Sequence, residues 1–246
     1  MSNRVRLDVL LVDRGLAESR EKAQRLIRAG LVYTTSERLD KPGRLVPSDL
    51  DCFVKGNECP YVSRGGLKLA GALDRFGVDP SGRVAIDLGA STGGFTDCLL
   101  QRGARCVYTI DVGTNQLHEK LRADSRVVVR EKTHIDAVEP GLFPEAPTLA
   151  VADLSFISLR RAFPPLRRVL PPGADAVLLV KPQFEVGREN VPRGGVITDS
   201  ALQQKVLEDL ARAAEADGFA VLGRCDSPIK GGDGNVEFFL HLAPNA

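Results

Sequence analysis

The chain has 246 residues, 43% hydrophobic and 26% charged, which is the usage of a water-soluble globular protein with room for one large and one small domain. Five cysteines at 52, 59, 98, 106 and 225 form no C-x-x-C pair and are joined by only three histidines, which argues against a disulfide framework and against a metal site. The net charge of +1 conceals a division, because residues 1–56 carry 11 Lys and Arg against 8 Asp and Glu while the remainder carries 22 against 24.

At the N-terminus, Asp8 and Asp13 interrupt "MSNRVRLDVLLVDRG", so it lacks the apolar core of a signal peptide. Apolar runs such as "AVLLV" at 176–180 fall far below the roughly 20 residues of a membrane span. The expectation is a soluble cytoplasmic monomer with no membrane partner.

Residues 4–55 read as a small module. Leu7, Leu10 and Leu11 follow helical spacing up to Gly15. A second helix is predicted from Ser19 as N-cap, through "REKAQRLIRA", to Gly30. It would turn Ala23, Leu26 and Ile27 toward a core and Lys22, Arg25 and Arg28 away from it. The strand-like pieces "LVYTT", "GRLV" and "DCFVKG" follow. A solvated basic face on an ordinary helix is one reading. The order of the pieces, with "AGLV" closing the basic helix and a "KPG" turn between strands, resembles the S-four-like RNA-binding module. That resemblance implies Arg4, Arg6, Arg20, Lys22, Arg25 and Arg28 as phosphate contacts, which would give salt-dependent affinity for structured RNA. The expected domains are 1–56 for this α+β module, 57–63 for a linker and 64–246 for the rest.

From residue 64 helices and strands alternate. "RVAIDL", "CVYTID", "RVVVR", "TLAVADL", "ADAVLLVK", "FAVLGR" and "NVEFFLHL" are the strands. Helices are predicted in "GGLKLAGALDRFG" and near 94–102, 115–122, 158–169 and 199–217. The class is α/β: a seven-stranded, doubly wound, Rossmann-like sheet whose last two strands, joined by a loop without a helix, run antiparallel.

"AIDLGASTGGFTDCLL" places Gly89, Gly93 and Gly94 after the first of these strands, with Asp87 at the mouth of the turn. Neither the dinucleotide fingerprint nor the Walker sequence is present. A carboxylate there would repel a pyrophosphate but suits a cationic ligand, and S-adenosylmethionine carries an ammonium and a sulfonium and no phosphate. Asp111 ends the next strand, where an acid accepts from both ribose hydroxyls. A glycine-rich loop with a capping Asp in another α/β enzyme is the competing reading. The expected cofactor contacts are Asp87, Gly89, Ala90, Ser91, Gly93, Gly94, Phe95, Thr96, Asp111 and Val112.

Three more strand-associated segments carry ionisable residues: Asp153 in "VADLSFIS", Lys181 in "LLVKPQFE" and Glu237 in "GNVEFFL". With an antiparallel last strand all three converge on the rim beside the glycine turn, and Lys68 of "PYVSRGGLKL" can join them. Taken singly, each is a strand-end charge reaching water or a salt bridge.

The glycine motif, "DLSFIS", "LVKPQFE", "GGVITD" and "SPIKGGDGNVEFF" together resemble the TlyA (haemolysin A) family, over nearly the whole chain. The resemblance implies an FtsJ-type domain that methylates the ribose 2′-hydroxyl of cytidine in ribosomal RNA, with ribosomal RNA or subunits as partner. It also implies a catalytic Lys–Asp–Lys–Glu tetrad of Lys68, Asp153, Lys181 and Glu237, and places His134 on the adenine side, where an asparagine is expected in the family. Lys181 is expected to act as base or hydroxyl-orienting residue. Arg64, with Lys132 and Arg193, would extend the RNA path unless they are solvated surface charge. The competing classes are a membrane-acting lysin and a non-catalytic RNA-binding assembly factor.

Overall fold

The computed structural model describes residues 4–34, 37–55, 59–187, 190–231 and 234–245. It divides into two compact units between Pro60 and Tyr61.

The smaller unit opens on strand β1 (Arg4–Arg6), helix α1 (Leu7–Asp13) and helix α2 (Arg20–Arg28). Strands β2 (Val32–Tyr33), β3 (Leu45–Pro47) and β4 (Phe53–Val54) follow. Ser19 caps α2 as its sequence predicts, its hydroxyl accepting from the Lys22 amide at 3.2 Å. Leu7, Leu10, Leu11, Ala23, Leu26 and Ile27 form the core with Val32, Leu39 and Val46. β1 pairs antiparallel with β3, and β2 with β4. The three residues of β1 are too few to display a strand period, so Arg4 and Arg6 gain a strand context that was not expected. The expected strand pieces reach Thr35 and Gly56, and the linker reaches residues 57 and 58; those positions lie outside the described residues.

The larger unit starts with α3 (Gly65–Phe76) and continues β5 (Val84–Leu88), α4 (Gly94–Gln101), β6 (Cys106–Ile110), α5 (Glu119–Arg122) and β7 (Val127–Arg130). Then come β8 (Leu149–Ala152), α6 (Phe163–Val169), β9 (Asp175–Val180), α7 (Ser200–Ala216), β10 (Phe219–Asp226) and β11 (Phe238–Pro244). The seven strands lie in the order β10-β11-β9-β8-β5-β6-β7. β5 to β9 are parallel, and β11 is inserted antiparallel between β9 and β10.

β5, β6, β8, β9 and β11 are buried on both faces and almost wholly apolar, whereas the edge strand β10 alternates half-buried and exposed residues from Val221 onward. Ile86, Ala150, Leu178 and Leu240 face a core shared with α6 and α7. Their neighbours Ala85, Val151, Val177 and Phe239 face one shared with α3 and α4. Successive strands run outward from β5 to β7 and then restart at β8 on the other side of β5. That reversal opens a crevice at the carboxyl ends of β5 and β8, where ligands of open α/β sheets bind.

Three local expectations are corrected. The helix near 115–122 is a single turn, Glu119–Arg122. The helix near 158–169 starts as a 3-10 turn, Leu159–Ala162, and becomes α6 only at Phe163. Pro164 and Pro165 bring no amide donors to its first turn, where none is needed. Glu237 stands one residue before β11 rather than inside it.

Candidate active site

Gly89 makes the turn after β5 in the left-handed region, φ +79°, and a Cβ there would meet the Asp153 carbonyl oxygen at 2.6 Å. Only glycine lets the β5 turn lie against the end of β8. Gly94 has a different reason: its Cβ would fall 2.2 Å from Ser63 Oγ and 3.0 Å from the Gly66 amide, so it seats the start of α4 against the start of α3. That contact places Lys68, one turn along α3, over the rim.

Two cavities meet at the turn. The larger, about 610 Å³, is lined by Gly89, Ser91, Asp111, Val112, His134 and the loop from Asp153 to Ile157. The smaller, about 300 Å³, is lined by Arg64, Lys68, Ala90, Gly94, Phe95 and Lys181, and shares Gly89, Ser91, Asp153 and Ser155 with the first. Asp111 is fixed at the mouth by two backbone donors, the Ser91 amide at 2.7 Å to Oδ2 and the Gly113 amide at 2.8 Å to Oδ1. Each oxygen keeps a lone pair for a further donor such as a ribose hydroxyl. His134 caps a short 3-10 turn, accepts from the Asp136 amide, and lies 3.1 Å from the Asp136 carboxylate.

Asp87 is not among the residues lining either cavity. It is wholly buried, with Oδ2 accepting from the Thr96 hydroxyl at 2.6 Å and Oδ1 buried with no hydrogen-bond partner. Burial pushes its carboxyl up to about 7; the Thr96 bond opposes this, and the charges of Asp153 and Asp111 add to it. Thr96 thus acts on Asp87, and Gly93 packs against Leu117 and Leu121.

The four rim residues form two ion pairs. Lys68 Nζ lies 2.6 Å from Glu237 Oε2, and Lys181 Nζ lies 2.5 Å from Asp153 Oδ1. The register explains the convergence: Phe238 pairs with Val180, which puts Glu237 beside Lys181. Lys181 also donates to Ser155 Oγ at 2.8 Å. Two paired ammonium groups lining one cavity that adjoins a larger one suit chemistry on a hydroxyl next to a phosphate.

This geometry has sequence relatives. Residues 61–243 match the model described as FtsJ-like methyltransferase, and residues 5–50 match the S4 domain. The chain belongs to the TlyA family of FtsJ-like methyltransferases. Within it, the Mycobacterium tuberculosis protein named 16S/23S rRNA (cytidine-2'-O)-methyltransferase TlyA is 46% identical over 98% of this chain and 91% of its own. The Brachyspira hyodysenteriae protein named Hemolysin A is 40% identical over 97% of this chain and 99% of its own. A solved structure from Streptococcus thermophilus, assigned as a hemolysin, superposes with a TM-score of 0.78 at 46% identity, covering all of this chain and 90% of that one. No helix among the described residues is long and apolar enough to cross a membrane.

Sequence reasoning missed the loop that follows β8 in this TlyA-family chain. Phe156 stands 87% exposed with φ +65°, its ring 5.1 Å from that of Phe184. Glu185 ties the loop to the segment carrying Lys181, accepting from the Ser158 hydroxyl at 2.6 Å and the Leu159 amide at 2.7 Å. Burial raises the carboxyl of Glu185. The only signal in the sequence was the aromatic in "DLSFIS", between Ser155 and Ile157; its exposure belongs to the backbone conformation. Arg64 lines the smaller cavity, whereas Lys132 and Arg193 are exposed and line neither.

Proposed function

We propose that this chain transfers the methyl group of S-adenosylmethionine to the 2′-hydroxyl of a cytidine in ribosomal RNA, with the S4 domain binding structured RNA. The observation that carries the reading is the two ammonium–carboxylate bridges whose lysines line the smaller cavity, with Asp153 lining the larger one as well. The names of the relatives support ribosomal RNA and cytidine.

The residues present fit that cofactor. Asp111, held by two amides, is placed to accept from ribose hydroxyls; Val112, Ile135 and His134 offer an apolar and aromatic wall for a purine; and the Gly89 turn allows close approach. When bound, the cofactor supplies an electrophilic methyl on a sulfonium. The protein's part is chiefly positioning, because an in-line displacement needs the oxygen aimed at the methyl. Lys181 orients the acceptor hydroxyl and, once its ammonium has given up a proton, takes the hydroxyl proton on the neutral amine as the oxygen bonds to the methyl, with Asp153 holding the nitrogen in place. Lys68, held by Glu237, supplies a second positive charge for the adjoining phosphate, and Arg64 extends that charge along the rim. Phe156 presents a free ring face on which the acceptor base stacks, a contact worth about 1–3 kcal/mol.

The test is incubation of hypomethylated small and large ribosomal subunits with labelled S-adenosylmethionine, followed by mass mapping of ribose methylation. Lys181→Ala should lower turnover by at least about a hundredfold while calorimetry finds the cofactor bound as before. Wild-type turnover in that variant would remove the role given to Lys181. The absence of ribose methylation on either subunit would remove the function.

A further inference from the structure

We infer that Asp8 is a positioning residue for RNA binding: it fixes Arg6 and Arg20 as a pair and, through Gln24, sets Arg28 beside them. The inference rests on the RNA-binding reading of the S4 domain.

Asp8 lies in the first turn of α1 and is fully buried among the leucines of the small core. A buried carboxylate is costly unless cations compensate it, and packing alone would favour an apolar residue of similar size. Here the compensation is complete. Arg6 approaches as a fork, Nε to Oδ1 and Nη2 to Oδ2, both at 2.9 Å. Gln24 Nε2 donates to Oδ2 at 2.8 Å, and Arg20 Nη2 reaches the same oxygen at 3.4 Å. The Arg6 fork, helped by Gln24 and Arg20 against the opposing effect of burial, holds the carboxyl far below the usual carboxylate range, so it stays charged at any working pH.

What the anion provides is geometry. Arg6 and Arg20 remain 46% and 57% exposed while sharing one carboxylate. Two guanidinium groups so close would otherwise repel and sample many rotamers, and that freedom would be lost on binding. The fork occupies one edge of Arg6, and Arg20 gives only Nη2, so donors of both stay available for a phosphate. Gln24 extends the arrangement: its amide donates to Asp8, which leaves Oε1 to accept from Arg28 Nη2 at 3.4 Å. Arg20, Gln24 and Arg28 are spaced by four along α2 and form one stripe. The Arg44–Glu37 pair of the same unit is the contrast, since both of its side chains are half exposed and no buried anion organises them.

The test uses the full chain, purified small and large ribosomal subunits, and affinity measured across a salt series. Asp8→Asn is expected to weaken binding at least tenfold and to flatten the dependence on salt, with S-adenosylmethionine affinity within twofold of wild type. Added to the Arg6→Ala/Arg20→Ala variant, Asp8→Asn should cost less than a further twofold, because its effect passes through those arginines. An Asp8→Asn protein that binds within twofold of wild type overturns the role, and so does an equal loss in the absence of the arginines. If the double arginine variant itself binds like wild type, RNA does not contact this face, and the placement fails along with the role of Asp8. Should Asp8→Asn not fold, Gln24→Met is crossed with Arg28→Ala; non-additive losses support the network and additive ones overturn it.

Discussion

Between about pH 4 and pH 7 the folded protein keeps a proton on Asp87 that the unfolded chain has released, because burial raises this carboxyl to about 7 from an ordinary value of 3.8. Stability should therefore fall as pH rises through that window, and Asp87→Asn should abolish this component of the pH dependence. A cationic cofactor bound nearby favours the ionised form, so binding should release a proton and tighten as pH rises toward 7. Calorimetry in buffers of different ionisation enthalpy would count that proton, and none should be released by Asp87→Asn. Lys68 invites a different measurement. Its removal strands the Glu237 carboxylate with almost no solvent, so Lys68→Met should cost about 3 kcal/mol in denaturant unfolding. Lys68→Met/Glu237→Gln should recover most of it, since the pair then leaves no uncompensated charge.

At the scale of an element, the turn after β5 is restricted by its neighbours more than by its own torsions. Gly77 closes α3 at φ +67° with open space around it, whereas Gly89 at φ +79° meets the carbonyl oxygen of Asp153. Gly77→Ala should cost only the left-handed penalty, about 1 kcal/mol. Gly89→Ala must in addition move β8 away from the turn. Its thermal midpoint should fall further than that of Gly77→Ala, and calorimetry should show cofactor affinity lost in Gly89→Ala alone. In the small unit, Ser19→Ala removes the hydroxyl that caps the start of α2 and should destabilise that unit by about 1 kcal/mol. Hydrogen exchange of the α2 amides would register the loss, with the β-sheet amides of the larger unit unaffected.

At the scale of the molecule, the two units answer to different physics. RNA held through phosphates should be released steeply as salt rises, with log affinity falling linearly in log salt. The cavity proposed for the cofactor has two carboxylates, Asp111 and Asp153, both already held by protein donors, and an apolar wall, so its affinity should change little over the same series. Filter binding and calorimetry on one preparation would compare the two slopes; parallel slopes would contradict this division.

The two units, the seven strands and the family were legible from the linear chain because they rest on local patterns. A capping serine, apolar runs bounded by turns, and short motifs each occupy neighbouring residues. The convergence of Asp153, Lys181 and Glu237 was legible as well, since they sit at strand ends that one topology brings together, and Lys68 meets Glu237 from α3. Tertiary structure alone decided the rest. It paired Lys68 with Glu237 and Lys181 with Asp153, because pairing depends on register between strands distant in sequence. It withdrew Asp87 from the cavity walls, since burial is a property of everything packed around a residue. It exposed Phe156 through a left-handed backbone at a non-glycine position, and it gathered Arg6 and Arg20 onto Asp8 by folding a three-residue strand too short to announce itself.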